Sequence, residues 1–236
     1  MSPIMVVHRG PAAILEFRGL DAKGMFDTAF LEQLADLVAR LGEDDNVRAL
    51  VLTGRDDVFC TGGNFGAEAG GREAFVKGFF DVLAACRQCA VPVIAAVNGR
   101  CTGGGMTFLA AADYAFAVDQ AGFGYPELAF GAFPMLAAVT QPSHLPKKLF
   151  FEMAYTGRLL TAAEALELGL INKVVASGRL WQEVQAFTDD LAARSRSAIA
   201  TGRRLYYATL GKLPEDAMRA AGDVVRGYPV VEHFRR

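Results

Sequence analysis

The stretch VPVIAAVNGRCTGGGMTFLAAADYAFAVDQAGFGYPE, residues 91–127, decides how the chain is read. Its apolar, β-rich start, Val91 to Val97, turns at Asn98-Gly99 and reaches three consecutive glycines, Gly103, Gly104 and Gly105. Small and apolar residues follow from Met106 to Ala112. This order predicts a strand, a glycine-rich turn and a buried helix. The first amides of such a helix have no carbonyl partner within it, and they sit at the positive end of its dipole. Glycines there let a ligand oxygen approach the backbone. The stretch is therefore a candidate anion or oxyanion site. The plainer alternative is a glycine triplet that only lets a helix pack tightly on a strand.

On the N-terminal side the same alternation recurs. Val47 to Thr53 is an almost uniformly apolar run, as expected of a parallel strand covered on both faces. It is preceded by an amphipathic helix over Phe26 to Leu41, with Asp27 as N-cap, and before that by a hairpin around Arg9 to Ala12. Between the strand and a helix over Arg72 to Cys89 lies a long loop, Gly54 to Gly71. A loop of this length is often functional, and amides near Gly63 form a possible second donor site. On the C-terminal side, Tyr114 to Val118 reads as a strand and Ala121 to Glu127 as a turn-rich segment. A helix start is expected within Pro142 to Glu152. Thr161 with Glu164 forms a capping box for a helix over Ala162 to Leu168, and Ile171 to Val175 is a short strand. Beyond Ser177 the composition turns helical, with segments Trp181 to Arg194, Ala198 to Leu210 and Pro214 to Val225.

The bulk properties narrow the field. Hydrophobic residues make up 52% of the 236, enough for a sizeable core or subunit interface. A formal net charge of -2 gives no electrostatic case for nucleic acid. No apolar run reaches the roughly 18 residues of a membrane helix, and Met1 to Met5 lacks the start of a secretory signal. The expectation is a soluble cytoplasmic protein that touches neither nucleic acid nor membrane. Cys86 and Cys89 form a CxxC, but no second ligand pair stands at zinc spacing, so they read as core or helix-end thiols.

Five separated segments now matter together: VRALVLTGRDDVFCTGGN, VPVIAAVNGRCTGGGMTFLAAADYAFA, AGFGYPELAFGAFP, AYTGRLLTAAEALELGLINKVV and the helical tail. In this order they closely resemble the crotonase (enoyl-CoA hydratase/isomerase) superfamily. The resemblance implies an α/β fold with a repeated ββα spiral core over residues 1–178. It implies a C-terminal helical region, residues 179–236, that builds trimers, often paired into hexamers. It also implies an acyl-CoA thioester substrate that brings its own CoA, with no further cofactor and no metal. Two backbone amides would hold the thioester oxygen, by motif position those of Gly63 and Gly104. Cys60, Thr61 and Gly62, together with Phe26, fall where the resemblance places contacts to the CoA substrate.

Departures from the family pattern shape the expected reaction. Hydratases of the family use two glutamates. One follows the glycine triplet by two residues, where this chain has Thr107, which cannot serve as a carboxylate base near neutral pH. The other lies in the FGxPE turn and is retained as Glu127. Pro134 to Ala138 is bulkier than the usual glycine-rich stretch, and Met135 and Leu136 suggest a drier pocket. Gly24 to Asp27 and the acidic Asp57 replace residues that often serve CoA. One carboxylate and an oxyanion site fit enoyl-CoA isomerisation by a single glutamate base. Hydration, another lyase or decarboxylase reaction, and a catalytically weak acyl-CoA-binding homologue are the alternatives. Tyr125 is either a hydrogen-bond donor to Glu127 or a packing aromatic.

Overall fold

The computed structural model describes residues 2–64, 71–140 and 145–227. Residues 65–70 of the long loop and Pro142 lie outside them. The hairpin strands β1 (Ile4–Arg9) and β2 (Ala12–Phe17) are followed by β3 (Met25–Phe26) and α1 (Thr28–Glu43). Then come β4 (Ala49–Thr53), β5 (Val58–Cys60), β6 (Gly62–Gly63) and α2 (Gly71–Gln88). The decisive stretch supplies β7 (Val93–Val97), β8 (Arg100–Thr102), α3 (Gly104–Ala111), β9 (Tyr114–Val118) and β10 (Gly122–Gly124). After these run α4 (Met135–Thr140), α5 (Lys147–Thr156), β11 (Leu159–Thr161), α6 (Ala162–Glu167) and β12 (Lys173–Val175). The tail is α7 (Leu180–Ala192), α8 (Arg196–Thr209) and α9 (Pro214–Arg226).

The uniformly apolar runs form the main sheet, ordered β1-β2-β4-β7-β9-β12, parallel from β2 onward. Every residue of β4 and β7 is buried, as a strand covered on both faces requires. After each long strand the chain steps to a short one. These short strands form a second sheet, ordered β11-β10-β8-β5. A helix then returns the chain to the main sheet, as α2 does after β5 and α3 after β8. Strand, short strand and helix thus repeat along a spiral. Asn98 ties adjacent turns: its side chain accepts from the Gly54 amide at 2.9 Å and donates to the Val58 carbonyl at 3.2 Å.

Two features differ from the sequence reading. Phe26 is not the first residue of a helix but the end of a strand, paired with Gly63. Asp27 is indeed the N-cap and accepts from the Phe30 amide at 2.8 Å, and a cap residue is extended, so the residue before it leaves the helix. The sequence pattern places β5, β6, β8 and β10 in turns and loop, where the structure has short strands. With only two or three residues each, several of them glycine, they carry no periodic signal of their own.

The C-terminal helices lie against the spiral. α7 touches β4 and β9, α8 touches α2, and α9 packs on α8. Arg203 on α8 anchors this region. It is buried, pairs with Asp113 at the end of α3, and donates to the carbonyls of Cys86 and Cys89 at 2.6 and 3.1 Å. The Tyr207 hydroxyl donates to the same Asp113 at 3.0 Å. The CxxC therefore marks a helix end whose thiols are buried and whose carbonyls are held by Arg203. None of the helices among the described residues is long and apolar enough to cross a membrane.

Candidate active site

The register of the second sheet brings three distant segments together. β10 runs parallel to β8, with Phe123 beside Cys101 and Gly124 beside Thr102. The Gly103 amide donates to the Gly124 carbonyl at 3.0 Å. The residues just after Gly124 are thus delivered to the turn that opens α3. On the other side, the Thr102 hydroxyl donates to the Thr61 carbonyl at 3.3 Å, which fixes β6 against the same turn.

Gly63 and Gly104 both look onto this junction. Gly104 is the first residue of α3, so its N–H has no acceptor within the helix. In β6 the Asn64 amide donates to the Phe26 carbonyl at 2.8 Å. Alternate amides of a parallel strand point to opposite sides, so the Gly63 N–H faces away from β3. The two segments touch: a methyl group added at Gly104 would sit 3.4 Å from the Gly62 Cα. Gly103 makes the turn possible, at φ +54°, where a side chain would be strained.

Phe26 holds both glycines from behind. A methyl added at Gly104 would meet its ring at 2.8 Å, and one at Gly63 would meet it at 3.0 Å. The ring is fully buried and stacks on Phe75 at a centroid distance of 5.6 Å and 5° between planes. Phe30, Phe79 and Phe108 surround it. Such a cluster fixes the backbone through packing. Phe26 is therefore a buttress with no surface for CoA. Cys60 is likewise enclosed, its thiol pushed up to about 12 by burial. Thr61 spends its hydroxyl on the Lys23 carbonyl at 2.5 Å and its amide on the Gly24 carbonyl at 2.9 Å.

Glu127 completes the junction. It opens a 3-10 helix, Glu127–Phe130, that Gly131 terminates. Its Oε1 lies 2.9 Å from where a Gly103 methyl would be, and its Oε2 is buried without a hydrogen-bond partner among the described residues. Burial raises its carboxyl from the ordinary 4.5 to about 6. A half-buried carboxylate whose one oxygen is unclaimed, beside two backbone donors, is equipped to take a proton and give it back. Tyr125 is fully buried, edge-on to Phe150 at 5.2 Å, with its hydroxyl unpartnered among the described residues, so it packs and makes no bond to Glu127. Thr107 is one turn along α3 from Gly104, fully buried, and its hydroxyl also has no partner among the described residues.

The sequence reading missed Gly103 as the contact of Glu127 and Phe75 as the second plate of the buttress. Phe75 looked like any apolar residue on a helix face. For Phe26 a signal existed, since the residue before an N-cap is extended.

The spiral of ββα units thus gathers Glu127 and the glycines of β6 and of the α3 turn at one junction. Residues 13–233 match the family model described as enoyl-CoA hydratase/isomerase, and the chain belongs to this family, the crotonase superfamily. The chain is 32% identical over 220 residues to the carnitinyl-CoA dehydratase of Escherichia coli (strain K12), covering 91% of this chain and 82% of that one. It is 31% identical over 197 residues to the mitochondrial enoyl-CoA hydratase domain-containing protein 3 of Rattus norvegicus. That match covers 81% of this chain but only 65% of the rat protein's length. Among solved structures, an enoyl-CoA hydratase of Mycobacterium smegmatis superposes with a TM-score of 0.86 at 30% identity, covering 95% of this chain and 90% of that one. An enoyl-CoA hydratase/isomerase family protein of Silicibacter pomeroyi gives 0.84 at 28%, covering 98% and 99%.

Proposed function

We propose that this protein acts on acyl-CoA thioesters by forming an enolate, and that its reaction is the shift of a 3-enoyl to a 2-enoyl thioester with Glu127 as the single base. The observation that carries the reading is Glu127 itself: unclaimed at Oε2, raised to about 6, and set against the Gly103-Gly104 turn. Its carboxylate takes a proton from C2, and the electron pair spreads into a dienolate whose charge rests on the thioester oxygen. The amides of Gly63 and Gly104 hold that oxygen. The loss of one such donor typically costs about 3 kcal/mol of barrier lowering. Glu127 then returns the proton at C4. No electron is gained or lost, so the step needs no redox cofactor, and CoA arrives with the substrate.

Elimination of an oxygen from C3 is a second reading, favoured by relatives named carnitinyl-CoA dehydratase. A paired assay separates the two. Wild type and Glu127→Gln are offered 3-enoyl-CoA, 2-enoyl-CoA and 3-hydroxyacyl-CoA. Isomerisation that disappears in the variant supports the first reading. Robust hydration or dehydration by wild type, with no isomerisation, overturns it in favour of the second. Assembly as a trimer or a dimer of trimers belongs to the same proposal. It is supported by Leu213, Met218 and Val225, 72%, 75% and 62% exposed on and beside α9. Sedimentation of the purified protein tests it.

A further inference from the structure

The strand β6 is gripped from two sides. A methyl group added at Gly62 would point at the α3 turn, 3.5 Å from the Gly104 nitrogen. One added at Gly63 would instead overlap Cζ, the tip of the Phe75 ring. The missing side chain at Gly63 thus makes room for Phe75, and β6 lies between that ring and the turn that carries Gly104. Hydrogen bonds tie β6 to its own neighbour. The Thr61 amide donates to the Gly24 carbonyl at 2.9 Å and the Asn64 amide to the Phe26 carbonyl at 2.8 Å. These bonds fix β6 along β3. Toward the turn runs the bond from the Thr102 hydroxyl to the Thr61 carbonyl, long for a hydroxyl donor at 3.3 Å. Close packing is left to set the gap between β6 and the turn.

Phe75 is seated firmly enough to do this. It is 3% exposed and lies flat on Phe26. Its helix α2 rests on α1 so closely that a methyl at Gly78 would stand 3.1 Å from the Leu31 Cβ. Phe26 supplies the side-chain atoms nearest Gly104, and Phe75 supplies the atom nearest Gly63. A change at Phe75 therefore moves one of the two glycines relative to the other.

We propose that Phe75 is a positioning residue for the reaction: its ring, carried by α2, sets the distance between the Gly63 and Gly104 amides and so how well the pair holds the charge that builds on the thioester oxygen. This rests on the thioester reading above. Phe75 itself touches no substrate. Donors of this kind act at hydrogen-bond distance from the place where the oxyanion forms, and a misplacement of about 1 Å costs about a hundredfold in rate. A shorter side chain removes the ring atoms that meet Gly63 and lets β6 relax away from the turn. The bound ester carries less charge on that oxygen than the transition state does, so the loss falls on kcat more than on KM.

The test reads the carbonyl stretch of a saturated acyl-CoA, isotopically labelled at its thioester carbon, by infrared difference spectroscopy on the whole protein. On binding to wild type the band is expected to move to lower wavenumber, because two donors polarise the carbonyl. In Phe75→Leu that movement is expected to be clearly smaller. For the thioester that wild type converts, kcat is expected to fall at least about tenfold, with KM within about threefold. Phe116→Leu removes an equally buried ring, packed on Tyr114 and Phe187, and is expected to keep both the band and kcat. Phe75→Met keeps more of the side-chain volume and takes the place of Phe75→Leu if that variant does not fold. Urea unfolding adds an arm without ligand: Gly63→Ala is expected to cost less beside Phe75→Leu than alone, because the ring it would strike is gone. An unmoved band in the Phe75 variants, an equal loss in Phe116→Leu, or strictly additive costs of Gly63→Ala and Phe75→Leu overturns the inference, while a shifted wild-type band keeps the two-amide reading. A wild type that binds no ester, or binds it without moving the band, overturns that reading and this inference with it.

Discussion

Removing the charge of Glu127 should make the protein more stable while abolishing its chemistry, and the gain should depend on pH in a defined way. The carboxyl stands at about 6 in the folded chain because burial disfavours the ionised form, against an ordinary value of 4.5. Between these values the native state binds more protons than the unfolded one, so stability falls as pH rises through the window. At about 1.4 kcal/mol per pH unit, the interval amounts to about 2 kcal/mol of stability absent above pH 6 and present below pH 4.5. Glu127→Gln removes that titration and keeps the shape. Urea unfolding of both proteins, at one protein concentration from pH 4 to pH 8, reads the difference. The variant's stability relative to wild type should rise by about 2 kcal/mol across this range, mostly between pH 4.5 and 6. The comparison across pH cancels the fixed cost of burying an amide. A difference that stays flat, or that moves in the opposite direction, would refute the claim that burial holds this carboxyl up.

The same carboxyl governs activity: kcat/KM should fall about tenfold per pH unit below 6, because only the ionised form accepts a proton, and a profile flat down to pH 5 would remove Glu127 from the role of base. Gly103→Ala places a methyl group 2.9 Å from Glu127 Oε1 on a backbone at φ +54°, so we expect a loss of about 1–3 kcal/mol in unfolding free energy together with a sharp fall in kcat; wild-type turnover would show that the turn does not set the carboxylate. Arg203→Met leaves Asp113 without its buried partner and should cost about 3 kcal/mol, with hydrogen exchange rising first along α8; a cost below about 1 kcal/mol would mean that α8 is held by apolar contacts instead.

Much of the fold could be read in the sequence because it repeats a few strong local signals. The apolar runs of β4, β7 and β9, the capped amphipathic α1 and the capping box of α6 each state their conformation within their own residues. The glycine triplet announced a helix start with free amides, and the order of motifs announced the family. Glu127 was legible as the surviving carboxylate, and Thr107 as the missing one. What no segment carried was the second sheet. β5, β8 and β10 are three residues each and exist because the long strands beside them are already in register. For the same reason Phe26 escaped: its conformation is set by pairing with Gly63, distant in sequence, and its task is to pack behind two backbone amides. The raised carboxyl of Glu127 was equally invisible. Residue type and spacing record what a side chain can do, whereas desolvation and partnering depend on which other segments close around it, and only the folded chain decides that.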